Sequence, residues 1–209
     1  MSKVAEVKAN VEAGKAKIVP GLVQEALNEG AGAQEILAAM IEGMGVVGEK
    51  FSSGEIFVPE MLVAARAMQK GVEVLKPLLA GEGAVSLGKC VIGTVAGDLH
   101  DIGKNLVSLM IESAGFEVID LGVDVPKERF IDTIKANPEV NLVACSALLT
   151  TTMPSLEETV KAIKASGLKG FKVIVGGAPI TQGFADEIGA DGYAQDAGGA
   201  AVLAKAIIK

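Results

Sequence analysis

The only histidine in this 209-residue sequence, His100, stands in Gly97-Asp98-Leu99-His100-Asp101-Ile102-Gly103, which leads directly into Lys104-Asn105-Leu106-Val107. Asp98, two residues before the imidazole, can accept a hydrogen bond from one ring nitrogen and leave the other as a Lewis base. Proteins tune metal-binding histidines in this way. The bland reading is a satisfied surface or core histidine, but position favours a ligand. A glycine-bounded loop after a buried strand and before a helix presents its side chains to whatever fills the cleft. Gly103 admits two readings: close passage of a bulky ligand, or an ordinary loop glycine ahead of a helix.

The elements that must hold this loop alternate along residues 89–209. Apolar runs at Cys90 to Ala96, Glu117 to Leu121, Leu142 to Ser146, Lys172 to Val175 and near Gly192-Tyr193 read as strands. Amphipathic stretches at about 103–114, 127–136, 154–166, 181–189 and 197–208 read as helices. The pattern predicts an α/β domain with a doubly wound, parallel five-stranded sheet of flavodoxin or Rossmann type, whose ligands sit at the carboxyl ends of the strands. Residues 1–85 show helical spacing only, through Leu22, Ala26 and Leu27, then Ile36, Leu37, Met40, Ile41, Met44 and Val47. A third stripe runs from Val58 to Leu79 through Met61, Leu62, Ala65, Met68, Val72 and Leu75. Turn signals at Gly30, Gly32 and Ser52-Ser53-Gly54 complete a small antiparallel helical bundle, with a linker at Gly81-Glu82-Gly83.

Half of the residues are hydrophobic, enough for the cores of two small domains. A net charge of −7 and 3% aromatic residues provide neither a basic footprint nor a stacking platform, which argues against nucleic acid and anionic membrane as partners. No stretch approaches the ~18 apolar residues of a membrane span and the N-terminus lacks a signal-peptide apolar region, so a cytoplasmic protein is expected. Cys90 and Cys145 are expected as reduced thiols in neighbouring buried strands. Gly-Asp-x-His after a strand also marks metallophosphoesterases, but their two-metal sites draw several further histidines, and this chain has none. Neither a P-loop nor, after the first strand, a dinucleotide fingerprint is present.

Asp98-x-His100-x-x-Gly103, Ser146-x-Leu148 and Gly176-Gly177, at three strand ends of one α/β domain, resemble the signature of cobalamin-binding proteins. Phe51-x-x-Gly54-Glu55-x-Phe57-Val58-Pro59-Glu60 is similar to the helical cap of methyltransferase corrinoid proteins, so the resemblance covers nearly the whole chain. It extends to the cobalamin-binding region of methionine synthase and is greater to the free-standing corrinoid proteins of anaerobic methylamine, methanol, betaine and methoxy-aromatic methyl transfer. The resemblance implies a cap over 1–85 and a cobalamin-binding domain over 89–209. It further implies a cobalamin or related corrinoid, alternating between methylcob(III)alamin and cob(I)alamin, with its own lower base displaced and His100 on cobalt.

On that resemblance Asp98 is the ligand's hydrogen-bond partner. Gly97, Asp101, Ile102 and Gly103 lie along the cofactor, with Gly103 where the nucleotide tail passes. Ser146 contacts the tail, Leu148 packs and Thr150 adds a polar contact. Thr152 falls where methionine synthase has a relay serine, and both that role and N-capping of the helix at Pro154 stay open at this point. Gly176, Gly177 and Ala178 admit the nucleotide's sugar and phosphate, or form a tight strand-to-helix turn. Tyr193 closes the pocket, with Gln195 and Asp196 beside it. Phe57, Met61 and Leu62 form an apolar lid, against the core role that helical spacing alone assigns them.

The function implied is a methyl carrier. It moves a methyl group on cobalt between a substrate-specific, donor-side methyltransferase and an acceptor-side methyltransferase serving tetrahydrofolate or a thiol coenzyme, with a corrinoid reductive activase as a further partner. The chain offers no other base or nucleophile, so it reads as a carrier subunit and not a complete enzyme, with a hinge over Gly81–Gly88 that lets the cap move. Two other classes share the histidine signature. A cobalamin-sensing regulator adds a DNA-binding or light-responsive module, and no basic helix-turn-helix is visible here. The small subunit of an adenosylcobalamin-dependent mutase needs no helical cap.

Overall fold

The computed structural model describes residues 2–82 and 86–208. The chain divides into two units, Met1–Ser86 with Ser113–Gly115, and Leu87–Glu112 with Phe116–Lys209. In the first unit the described residues form four helices: α1 (Lys3–Glu12), α2 (Val19–Asn28), α3 (Ala33–Ser52) and α4 (Val58–Glu82).

Helix α1 was not singled out by periodicity because it buries only Val7 and Val11. Its start is set by Ser2, whose hydroxyl accepts the Ala5 N–H at 3.3 Å. In α2 the buried stripe is Val19, Val23 and Ala26, with Leu22 and Leu27 half-buried on its flanks, so the expected phase is shifted by one position. Helices α3 and α4 bury Ile36, Met40, Met44 and Val47, and Met61, Ala65, Met68 and Leu75, in the expected phase. Gly71 allows the bundle to close: a Cβ there would stand 2.3 Å from Met40 Cε and 2.9 Å from Val19 Cγ1. Helix α4 starts sharply because the Phe57 N–H donates to Glu60 Oε2 at 3.1 Å while the Phe57 carbonyl takes the Met61 N–H at 3.1 Å. The helix runs through Gly81 and Glu82, so the linker glycine at 81 is still helical. Gly83, with the rest of the expected hinge up to residue 85, lies outside the described residues.

The second unit carries β1 (Gly88–Thr94), α5 (Ile102–Ser113), β2 (Phe116–Asp120), α6 (Lys127–Ala136) and β3 (Val140–Ser146). A 3-10 turn at Thr150–Thr152 precedes α7 (Met153–Ala165), and β4 (Lys172–Gly176), α8 (Gln182–Ile188), β5 (Gly192–Ala194) and α9 (Ala197–Ile207) complete it. The strands form one parallel sheet in the order β2-β1-β3-β4-β5. This is the flavodoxin-type order, whose switch point lies between β1 and β3. Burial follows position: β1, β3 and β4 are almost continuously buried, whereas β2 and β5 at the edges are partly exposed. Val91, Val143, Val173 and Val175 pack with Phe130, Leu156, Val160 and Ile163 in one core. Cys90 and Cys145 are buried free thiols, and burial pushes Cys145 up to about 12, so neither is a nucleophile at neutral pH. Among the described residues no helix is long and apolar enough to cross a membrane.

At the carboxyl end of the sheet the loops after β3 and β4 touch through backbone. Ala147 N–H donates to the Gly176 carbonyl at 3.2 Å, and Gly177, at φ 132°, lies where a Cβ would be 1.8 Å from the Ala147 carbonyl oxygen. A β-carbon there meets rigid backbone. Gly177→Ala is therefore expected to lower stability by about 3 kcal/mol, read as a loss in chemical-denaturation midpoint at unchanged m-value.

Candidate functional site

Beyond β1 the chain continues through Val95, which bridges in parallel to Val125, and then turns. Asp98 N–H donates to the Val95 carbonyl at 3.1 Å and Gly97 takes φ 81°, the value a type II turn demands at its third position. The turn carries Asp98 inward, where it is fully buried, and leaves the His100 side chain 49% exposed.

Asp98 gathers four donors. Its Oδ1 accepts the His100 Nδ1–H at 2.7 Å and the His100 backbone N–H at 3.1 Å. Its Oδ2 accepts the Leu148 N–H at 2.7 Å and the Thr152 hydroxyl at 2.7 Å. Burial works against the charge, but the Leu148 amide, the Thr152 hydroxyl and the two His100 donors outweigh it and hold the carboxyl well below the usual carboxylate range. An ionised carboxylate only accepts, so His100 Nδ1 carries a hydrogen, and in the neutral ring Nε2 is then the nitrogen with the lone pair.

The geometry separates the two readings of Thr152. It stands at the cap position of α7, but its hydroxyl makes no capping bond to that helix. The single hydroxyl hydrogen has two acceptors in reach, Asp98 Oδ2 at 2.7 Å and the Leu149 carbonyl at 2.9 Å, and the nearer, charged one holds it more strongly. Thr152 thus extends the His100–Asp98 hydrogen-bond chain to a third residue, brought from the loop after β3.

Two neighbours were not legible as site residues, and a third, Ser146, was. Thr94, the last residue of β1, is buried, and its hydroxyl donates to the His100 carbonyl at 2.9 Å. Ser146 Oγ lies 2.9 Å from the same hydroxyl; with the Thr94 hydrogen so placed, Ser146 is the donor of that pair. Lys104, also buried, pairs with Asp120 at the end of β2 and donates to Asn105 Oδ1 at 2.7 Å. The only sequence signal for Lys104 was a charge in the apolar phase of α5. Its partner sixteen residues on is visible only once β1 and β2 are paired.

The remaining expected residues sort by surroundings. Asp101 turns away from the ring to the start of α5, accepting Asn105 N–H through its carbonyl at 2.7 Å and Asn105 Nδ2 through its carboxylate at 3.2 Å. Gly103 has open space where a Cβ would stand, and at Gly97 the nearest atom would be Thr152 Cγ2 at 3.9 Å. Ile102 is 78% exposed and Leu148 41%, joined by Leu99 at 72% and Leu149 at 41%. Apolar side chains thus flank an exposed imidazole on the loops after β1 and β3. Thr150 and Ala178 are exposed, Gly176, Gly177 and Tyr193 are half-buried, and Tyr193 packs on the core beneath. Asp196 is a helix cap: its Oδ1 accepts the Gly199 N–H at 2.8 Å at the start of α9. In the helical unit Phe57 and Leu62 are exposed, at 68% and 43%, whereas Met61 is fully buried. Met61 packs, which corrects its place in the lid; the helical spacing that put it in the apolar stripe is the reason.

Among the described residues no cluster of three or more His, Cys, Asp or Glu side chains could hold a metal ion. One free imidazole nitrogen, an apolar surround and a glycine with open space beside it fit a metal that arrives with its own equatorial ring of ligands. A corrinoid has that chemistry.

The comparisons with known proteins agree. A family described as B12 binding domain matches residues 88–202, and a second family of the same description matches residues 4–76. The chain is 43% identical to dimethylamine corrinoid protein 1 of Methanosarcina acetivorans, over 93% of this chain and 92% of that one. A crystal structure of a cobalamin-binding protein from Desulfitobacterium hafniense superposes with a TM-score of 0.84 at 34% identity, covering 99% of this chain and 98% of the other. The methanol:cobalamin methyltransferase complex from Methanosarcina barkeri contains a chain that matches with a TM-score of 0.83 at 30% identity, covering 99% of this chain and 79% of that one. The protein whose lone imidazole is held in this way belongs to the B12-binding family of corrinoid proteins of methyltransferase systems, and its cofactor is a cobalamin-type corrinoid.

Proposed function

We propose that this protein is a methyl carrier in which His100 Nε2 would ligate the cobalt of the corrinoid. The observation that carries the reading is the Asp98–His100 contact: Asp98 Oδ1 stands 2.7 Å from Nδ1, which places the hydrogen there and leaves Nε2 of the neutral, half-exposed ring as the bare nitrogen. When bound, the corrinoid supplies the cobalt on which the methyl group is received and released. The chain's own residues set ligation and access. Asp98 orients the ring and, as an anion against Nδ1–H, raises the donor strength of Nε2. Thr152 donates to the other oxygen of that carboxylate and so tempers the effect.

Leu99, Ile102, Leu148 and Leu149 supply apolar contact for the ring system, while Ser146, Thr150, Gly176 and Gly177 line the route for the nucleotide tail. Phe57 and Leu62 act as the apolar lid. The partners are a donor-side methyltransferase of the kind seen in the methanol system, an acceptor-side methyltransferase serving tetrahydrofolate or a thiol coenzyme, and a reductive activase. A match over residues 4–76 supports the carrier over a mutase subunit, for which no helical half is required.

His100→Ala is expected to bind corrinoid still, through the tail and the apolar contacts, but to lose the histidine-bound ultraviolet-visible spectrum after reconstitution with hydroxocobalamin. An unchanged spectrum would remove the ligand assignment.

Asp98→Asn leaves one oxygen and an amino group where two acceptors are needed, so donors face donors on one side. It is expected to lose about 2–3 kcal/mol of stability in thermal or urea unfolding and much of the histidine-bound fraction. The sign with pH is fixed by the depressed Asp98 carboxyl. Its stabilisation is complete above the unfolded-state value of about 4 and is lost as pH falls towards the folded value. The melting temperature of the parent chain should therefore fall below about pH 4, and that of Asp98→Asn should fall less steeply over the same range.

A further inference from the structure

Asp124 is, among the described residues, the one non-glycine residue with φ in the left-handed region, at 52°. A side chain stays in that region only where its surroundings over-determine it. Here the surroundings are the turn that carries Asp98. Asp124 Oδ1 accepts the Gly97 N–H at 2.7 Å, and the Asp124 N–H donates to the Asp98 carbonyl at 2.9 Å. The next residue, Val125, donates its N–H to the Thr94 carbonyl at 2.9 Å and pairs with Val95. One residue from the loop after β2 therefore grips the Gly97–Asp98 pair from both ends.

The grip falls on the part of the turn with a second option. Type I and type II turns differ by a flip of the central peptide, here the one joining Ala96 to Gly97, and glycine at position 97 permits both. The N–H of that peptide is the one Asp124 holds. A flip would turn that N–H away from Asp124, and the grip of Asp124 on the turn would then rest on the Asp98 carbonyl alone. Thr152 and Leu148 fix Asp98 from the β3 side, and Asp124 fixes it from the β2 side.

We propose that Asp124 is a positioning residue for the axial imidazole. Its left-handed backbone and its carboxylate lock the turn that places Asp98, and through Asp98 they hold His100 as the Nδ1–H tautomer with Nε2 free. The functional meaning rests on His100 being the cobalt ligand, but the tautomer is measurable without corrinoid.

Because the chain has a single histidine, apoprotein labelled with 15N-histidine gives one pair of ring-nitrogen signals. The parent chain should show the pattern of one tautomer, with hydrogen on Nδ1. Asp124→Gly accepts the left-handed φ without strain but lacks the acceptor, so its ring should shift towards a mixture of tautomers with faster exchange of the Nδ1 hydrogen. Asp124→Asn keeps both the conformation and an Oδ1 acceptor, and should restore the parent pattern. A parent-like ring in Asp124→Gly, or an Asn variant as mixed as the Gly variant, would overturn the proposal.

A second measurement needs no variant. The Gly97 amide, on an exposed loop residue, should exchange its hydrogen more than about tenfold slower than an unstructured peptide, and exchange at the free-peptide rate would overturn the proposal equally. An unchanged His100→Ala spectrum would remove the ligand assignment while leaving the tautomer result standing. A parent-like ring in Asp124→Gly would remove only the positioning role.

Discussion

Among the described residues one carboxylate is fully buried, and it organises the carboxyl end of the parallel sheet. Removing an ionised group from water costs several kcal/mol unless it is fully hydrogen-bonded, and Asp98 is fully buried. Its four donors come from two separated stretches, His100 on the loop after β1 and Leu148 and Thr152 on the loop after β3. Those stretches can meet only if β1 and β3 are neighbours, and the strand order puts them side by side at the switch point. The topology and the electrostatics impose the same requirement. The flavodoxin-type sheet provides the crevice, and the carboxylate ties its two rims together at one point.

The consequence for the imidazole is a division of labour between its nitrogens. Nδ1 is committed to structure, inside the loop, and on the proposed function Nε2 is left to bind the metal. Rigid parts serve the first role: Thr94 at the strand end holds the His100 carbonyl, and Lys104 with Asp120 ties the following helix to β2. On the same proposal the exposed apolar side chains at Leu99, Ile102, Leu148 and Leu149 serve the second. A polar pocket would have wet the nitrogen. In the proposed function an apolar surround would present it to a large ring that brings its own metal.

How far the sequence revealed this depended on whether a feature is local. The strand and helix pattern, the strand-end loop and the Asp98–His100 pair are local, and each is legible because period and spacing are written in neighbouring residues. Strand ends moved by a residue or two, and α1 escaped because two buried valines in ten residues make too thin a stripe. The role of Thr152 was not decidable locally. Pro154 makes a helix cap equally natural, and only the folded chain shows the hydroxyl on a carboxylate 54 residues away. Lys104 and Asp124 were missed for the same reason, each acting on a partner brought by another strand or its loop, whereas Thr94 reaches His100 in its own strand's loop through a turn that spacing alone does not show. Met61 shows the reverse error, where a family likeness outweighed a helical spacing that was correct.

The claim at the centre is that the cobalt's lower ligand is a nitrogen of this chain. The most direct measurement is electron paramagnetic resonance of the protein reconstituted with cobalamin and reduced to the cob(II) state, once unlabelled and once with 15N-histidine. Since His100 is the only histidine, the label enters one ring. With His100 on cobalt, the threefold superhyperfine splitting from a 14N ligand should become a twofold splitting in the labelled sample. A threefold pattern that survives labelling, or the absence of any nitrogen splitting, would contradict it.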